Sequence, residues 1–266
     1  MVIDFHTHIF PDAIASKTIT ALENRAGVKA CTDGSLQGLL DAMQQASVDL
    51  SVILPVVTKP SQFESINRFA KSVNEIYAGR LLSFGGIHPD SEDYKKELNK
   101  IKELGLVGIK LHPDYQGVMI DDIRYMKIIE YADQLGLIIV VHAGIDIGLP
   151  EPVHCPPEKM RKVIDVIQPK KMVAAHLGGW RQWNAVYEYL AGENIYFDLA
   201  YTANHVELEM VQKIIKKHGA DKFLFATDSP WSSVEKEMQT LKKLCLKPLE
   251  MNQILYENAK KILALP

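Results

Sequence analysis

Short β-rich apolar runs alternate with longer stretches of helical periodicity along most of this chain, and that alternation restricts its fold more than any other feature. The strand candidates are VIDFH (2–6), LSVILPVV (50–57), LLSFGGIH (81–88), LVGIKLH (106–112), LIIVVH (137–142), KMVAAH (171–176), NIYFDLA (194–200) and KFLFATD (222–228). Helical candidates lie between and after them, over 35–47, 65–79, 93–105, 122–136, 157–167, 183–192, 205–219 and 234–245. Several end in Gly, a common helix stop. Strand–helix alternation implies parallel βαβ units. Eight such units in 266 residues predict an α/β fold of the (β/α)8 TIM-barrel type, as one domain over residues 1–266. A doubly wound open sheet is the competing architecture, but no GxGxxG turn follows the first strand.

The bulk numbers narrow the partners. Hydrophobic residues make up 47% and charged residues 24%, an ordinary globular composition. A formal net charge of −3 gives no basic footprint for nucleic acid. The three cysteines, Cys31, Cys155 and Cys245, have no CxxC spacing, which fits a reducing compartment rather than a disulfide framework. The first residues carry no basic n-region, and no run approaches the roughly 18 apolar residues of a membrane span. The expectation is a cytoplasmic protein with a small-molecule substrate and no membrane or nucleic-acid partner, self-association to a homodimer being left open.

The polar residues fall at one end of the strands. The first strand delivers His6 and His8, the third His88, and the fourth Lys110 and His112. The fifth ends in His142, the sixth in His176 and the eighth in Asp228. In a barrel these ends meet at the face where active sites are built. Residues i and i+2 of a strand share a face, so His6 and His8 project together. One buried histidine is usually a satisfied core residue. Several, gathered with a carboxylate and no cation, would leave unsatisfied polar groups costing about 1–3 kcal/mol each. A metal removes that penalty, and two imidazoles, a third from a later strand and a carboxylate form a Zn²⁺-type ligand set.

With those residues in place, the chain resembles the amidohydrolase superfamily. It is more closely similar to the amidohydrolase family 2 branch that contains aminocarboxymuconate-semialdehyde decarboxylase. The resemblance rests on Asp4-Phe5-His6-Thr7-His8, His142, His176 and FATDSPW (225–231), and extends to GGIHPD (85–90), GIKLHPDYQG (108–117), HLGG (176–179) and ENAKKIL (257–263). It implies that His6, His8, His142 and Asp228 hold a divalent metal, Zn²⁺ first and Mn or Fe as alternatives. His176 would bind a second ion or hydrogen-bond the reacting water, and Asp228 would be the general base. Lys110 has two readings. IKLHP is similar to the segment of dihydroorotases whose lysine carries a metal-bridging carbamate; the other reading is an ordinary ammonium that pairs with Asp228 or a substrate carboxylate.

Further candidates for substrate contact are His88 and His112, each followed by proline, and His154 in the proline-rich segment 142–158. Arg181 offers a bidentate fork for a carboxylate, and Trp180 could wall a pocket. Four functions compete. The leading one is a metal-dependent hydrolase using a metal-activated water on a small amide, ester or lactone. A non-oxidative decarboxylase of an aromatic or muconate-like acid at the same site is the alternative. A TatD-type deoxyribonuclease and a metal-binding barrel without turnover stand behind them.

Overall fold

The computed structural model describes residues 1–265, and its strands run in chain order around a barrel. They are β1 (Ile3–Thr7), β2 (Leu50–Ile53), β3 (Leu81–Ser83), β4 (Gly85–Gly86), β5 (Gly108–Leu111), β6 (Ile138–Val141), β7 (Met172–Ala174), β8 (Tyr196–Asp198) and β9 (Phe223–Leu224). Every neighbouring pair is parallel, in a three-stranded sheet β1-β2-β3 and a six-stranded sheet β4 to β9. All eight expected strands are present, the third interrupted at Phe84 into β3 and β4. The Phe84 N–H still donates to the Ile53 carbonyl at 2.9 Å, which carries the ladder across the gap. At the other seam Phe5 N–H donates to Phe225 O (2.9 Å), Asp228 N–H to His6 O (2.8 Å), and Thr7 bridges Ser229 in parallel. The chain thus forms the (β/α)8 barrel expected from its alternation.

The outer elements are α1 (Asp12–Ala26), α2 (Leu36–Ala46), α3 (Phe63–Ile76), α4 (Tyr94–Glu103), the short α5 (Pro113–Gln116) and α6 (Ile123–Gln134). They continue with α7 (Pro157–Ile167), α8 (Trp183–Tyr189), α9 (Leu208–His218), α10 (Val234–Lys243), α11 (Pro248–Asn252) and α12 (Asn258–Leu263). Three of these regions, α1, the one-turn α5 and the C-terminal pair, were not anticipated from sequence. α1 buries only Ala15 and Ile19 in the core, because its row Ile14, Thr18, Leu22 and Ala26 lines a cavity instead. A stripe containing a threonine and an alanine is a weak periodic signal. The C-terminal pair α11–α12 is joined by a π-helical turn, Gln253–Glu257, which breaks the 3.6-residue period. None of the helices among the described residues is long and apolar enough to cross a membrane.

The strands are buried almost throughout, but their packing partners alternate with period two. Ile138 and Val140 pack with Phe5, Phe84, Val173 and Leu224 inside the barrel, whereas Ile139 and Val141 pack with helix residues such as Ile128, Ile129 and Val163. Carried forward, the inward rows reach Lys110 and His112 from β5, His142 from β6, and Asp228 beyond β9. The barrel interior is apolar below and polar at its C-terminal mouth.

One buried acid away from this mouth makes the fold pH-sensitive. Glu237 on α10 accepts hydrogen bonds from Ser232 Oγ (2.6 Å) and Ala203 N–H (3.0 Å), and burial pushes its pKa up to about 8. Between its ordinary value of 4.5 and about 8 the folded chain keeps a proton that the unfolded chain has lost. Stability therefore falls as pH rises through that window, by at most about 1.4 kcal/mol per unit, and levels off above it. Glu237→Gln is expected to flatten this component in denaturant titrations at pH 5 to 8; parallel slopes for the two proteins would contradict it.

Candidate metal centre

The first two histidines reach the mouth through a distortion of β1. Its register against β2 shifts between Asp4 and Thr7, a bulge that resets the alternation. Phe5 can then pack on Phe84 inside the barrel while His6, the next residue, also faces inward. His6 Nε2 and His8 Nε2 end up 3.1 Å apart. Asp228 Oδ1 lies 3.1 Å from the second and 3.3 Å from the first. Tetrahedral ligands about 2.0–2.1 Å from a Zn²⁺ ion stand about 3.3 Å from one another, so the triangle has the dimensions of a metal's ligand shell.

The hydrogen-bond partners outside the triangle decide where the ring protons are. His6 Nδ1 lies 2.8 Å from Asp198 Oδ2, and His8 Nδ1 lies 2.8 Å from the Leu54 carbonyl oxygen. These oxygens accept, so both Nδ1 atoms donate, and each Nε2 is the ring nitrogen left to face a metal ion. Burial, followed by the Lys110 charge, holds His6 well below its usual pKa and therefore neutral. For Asp228 burial acts upward, but His6, His8 and His176 outweigh it and bring the carboxyl down to about 2. Two Nε2 atoms anchored through their Nδ1 partners and an ionised carboxylate oxygen converge on one point. The residues fit a divalent cation.

His176 and His142 continue the cluster. The His176 N–H donates to Asp198 Oδ1 at 2.8 Å, and His176 Nδ1 donates to the Ala200 carbonyl at 2.9 Å, leaving its Nε2 3.1 Å from His142 Nδ1. His6, His176 and Asp228 form one group close enough to hold an ion. His142, expected as a primary ligand, stands one imidazole away, with its Nε2 unpartnered and 3.9 Å from Asp114 Oδ2. His176 and Asp228 both have left-handed backbones, φ 58° and 63°, a conformation costing non-glycine residues about 1–3 kcal/mol that is concentrated at functional sites. That turn lets His176 join the mouth although β7's alternation points Val173, not Ala174, inward.

A second group, His112, His142 and Asp146, is also near enough for an ion. There His112 Nδ1 accepts the Tyr115 N–H at 3.4 Å, so its proton sits on Nε2, 3.5 Å from Asp146 Oδ2. That arrangement turns the His112 proton, not a lone pair, toward Asp146. Lys110 is 1% exposed, and its Nζ lies 3.1 Å from His6 Nε2. Burial lowers its pKa to about 8 against the opposing pull of Asp198 and Asp228.

The cluster forms the floor of a cavity of about 630 Å³. Its walls are mainly apolar, with Ile14 and Leu22 from α1, Ile66 and Phe69 from α3, and Trp180 and Trp231 from the loops beyond β7 and β9. His112 and Trp180 line it, as expected of substrate contacts, whereas His88, His154 and Arg181 lie outside the lining. His88 Nδ1 accepts from Asp90 N–H, His154 is bonded to Asp114 Oδ1, and Arg181 is exposed over the outer face of Trp180, 4.5 Å from the ring centre. Sequence reasoning passed over Asp198 and Arg25. Asp198 sits inside NIYFDLA at an inward position, a signal that could have exposed it; Arg25 belongs to the unanticipated α1.

The amidohydrolase-2 family model, described as "Amidohydrolase", matches residues 3–265. The chain belongs to the amidohydrolase family. Its fold is similar to an uncharacterised TIM-barrel protein of Bordetella bronchiseptica, at 19% identity and a TM-score of 0.78, covering 99% of this chain and 98% of that one. IDCase of Metarhizium anisopliae in its apo form is similar at 20% identity and TM-score 0.74 (100% and 97% covered). A dihydroxybenzoic acid decarboxylase of Polaromonas sp. JS666, with bound manganese and the inhibitor 2-nitroresorcinol, is similar at 14% and 0.73 (99% and 97% covered). At these identities the likeness speaks for the fold. No curated protein matches the sequence.

The two readings of Lys110 make opposite predictions for this amidohydrolase. An ammonium 3.1 Å from His6 Nε2 competes with a metal ion for that lone pair. Lys110→Met should then hold added Zn²⁺ against a chelator at least as tightly as the parent protein. A bridging carbamate would instead give weaker retention and a lower metal-to-protein ratio.

Proposed function

We propose that the protein is a metal-dependent decarboxylase that acts non-oxidatively on an aromatic or muconate-like carboxylic acid. The observation that carries the reading is the triangle of His6 Nε2, His8 Nε2 and Asp228 Oδ1 on the floor of an apolar, aromatic-walled cavity. The likeness to decarboxylases supports it. A divalent cation held there supplies concentrated positive charge against an anionic substrate. We assign its binding to His6, His8 and Asp228, with His142 as the ligand the family resemblance adds. Zn²⁺ is the first candidate because the set is dominated by imidazole, and the manganese of the Polaromonas enzyme makes Mn²⁺ the competitor.

In such a reaction the C–C bond to the carboxylate breaks, its electron pair stays on the ring or chain carbon, and a proton replaces the departing CO₂. The apolar walls hold the conjugated body and exclude water. Lys110, the buried ammonium on the floor, pairs with the carboxylate of the substrate. His176 is the residue we assign to deliver the proton. Its Nδ1–H is engaged by the Ala200 carbonyl, so Nε2 is the nitrogen left for a mobile proton.

Hydrolysis of an amide, ester or lactone is the second reading, and one observation favours it. The Asp228 carboxyl, brought down to about 2, is ionised and suited to accept a proton from water. The metal-loaded protein should release CO₂ from a dihydroxybenzoate or carboxymuconate panel with one equivalent of the decarboxylated product. Chelator-sensitive lactone cleavage without CO₂ would select hydrolysis. His8→Ala should lose its metal, whereas His176→Asn should keep it and lose turnover by roughly 10²–10⁴-fold. Metal retained in the first variant and lost in the second would reverse the two assignments.

A further inference from the structure

The cavity has two non-histidine cations in its lining among the described residues, and they stand at opposite ends. Lys110 lies on the floor; Arg25, exposed near the C-terminus of α1, lies at the mouth. The Arg25 stem lies over the loop beyond β6 at Gly148, where an added Cβ would come within 3.0 Å of Arg25 Cδ. The absence of a side chain there lets the arginine cross from α1 to that loop. Its guanidinium lies near the Tyr115 hydroxyl and has no carboxylate within 4.0 Å among the described residues. Tyr115 packs edge-on against His112 at 4.5 Å between ring centres, and His112 stacks on His142 at 4.1 Å. Arg25, Tyr115, His112 and His142 line one cavity wall, which runs from the cation at its mouth to the floor.

We infer that Arg25 is a specificity-determining residue that selects substrates with a second anionic group, borne on the end of a flat apolar body away from the floor. The inference rests on the reading of this cavity as the substrate site and extends it from an acid to an elongated dicarboxylate. A guanidinium without a carboxylate partner, facing a largely apolar space, offers two parallel N–H donors that a carboxylate matches and a neutral substituent does not. The strand ends supply no second cation for such a group. It comes from the helix that follows the first strand.

Calorimetric binding of terephthalate and benzoate to the full-length, Zn²⁺-loaded protein tests this, since the two share a ring and differ by the second carboxylate. Terephthalate should bind about tenfold or more tightly than benzoate. Arg25→Met should bring the two within about threefold while leaving benzoate binding unchanged, and Arg25→Lys should restore part of the difference. Equal binding of the two acids by the parent protein, or a preference that survives in Arg25→Met, would overturn the assignment. CO₂ release enters neither comparison. A preference that depends on Arg25 in a protein that never decarboxylates would sink the proposed reaction and leave this selectivity standing.

Discussion

Electron-pair crowding at the mouth is the constraint on which the rest of the site depends. His6 Nε2, His8 Nε2 and Asp228 Oδ1 lie within 3.3 Å of one another, an ionised carboxylate beside two ring nitrogens. Such a cluster favours positive charge at its centre, and in a buried setting the interaction is little screened. The surrounding hydrogen bonds act in one direction. Asp198 and the Leu54 carbonyl fix the two Nδ1 protons outward, so neither imidazole can rotate a proton into the gap without losing a bond at 2.8 Å. The Ala200 carbonyl does the same for His176. Outer partners of this kind orient ligating imidazoles and raise their basicity.

The barrel explains how so many polar groups can be packed together. Its lower interior is filled by Phe5, Phe84, Val140, Val173 and Leu224, which bury the inward rows of the strands in hydrocarbon. The same rows emerge at the mouth as Lys110, His112, His142 and Asp228. The apolar lower interior sets the position and rigidity of the strands, and the strands aim the polar ends. Seam bonds from Phe5 to Phe225 and from Asp228 to His6 join the first strand to the last segment, so the two ends of the chain meet within one ligand triangle. Loss of that closure would separate His6 from Asp228 before it exposed the core.

Legibility from sequence followed the regularity of the local pattern. Lys110 within β5 and His142 directly after β6 continue regular strand rows, and counting by two places them at the mouth; Asp228 lies beyond β9 in a left-handed conformation. His6 and His176 reach it through irregularities, a bulge within β1 and a left-handed turn beyond β7, that no periodicity reveals. Arg181 was singled out for its position beside HLGGW, yet its side chain lies over the outside of Trp180. Arg25 was passed over because α1 directs its modest apolar row into a cavity, and a helix without a core-facing stripe has little periodic signal. Asp198 was visible as a residue but not as a partner, since its role depends on His6, far away in the chain.

The sequence by itself determined the architecture and the chemistry available to it. Alternating apolar periods of two and about 3.6 leave few arrangements that bury both faces of the strands, and a closed parallel barrel satisfies them. Histidines and aspartate at strand ends then have one face to share. Tertiary structure alone decided which lone pairs meet, which ring nitrogens keep their protons, and which cations look into the cavity. These depend on distances of about 3 Å between residues far apart in the chain, as for His8 and Asp228, 220 positions from one another. Spacing along a chain carries no information at that scale. Backbone turns and hydrogen-bond partners from other strands set it.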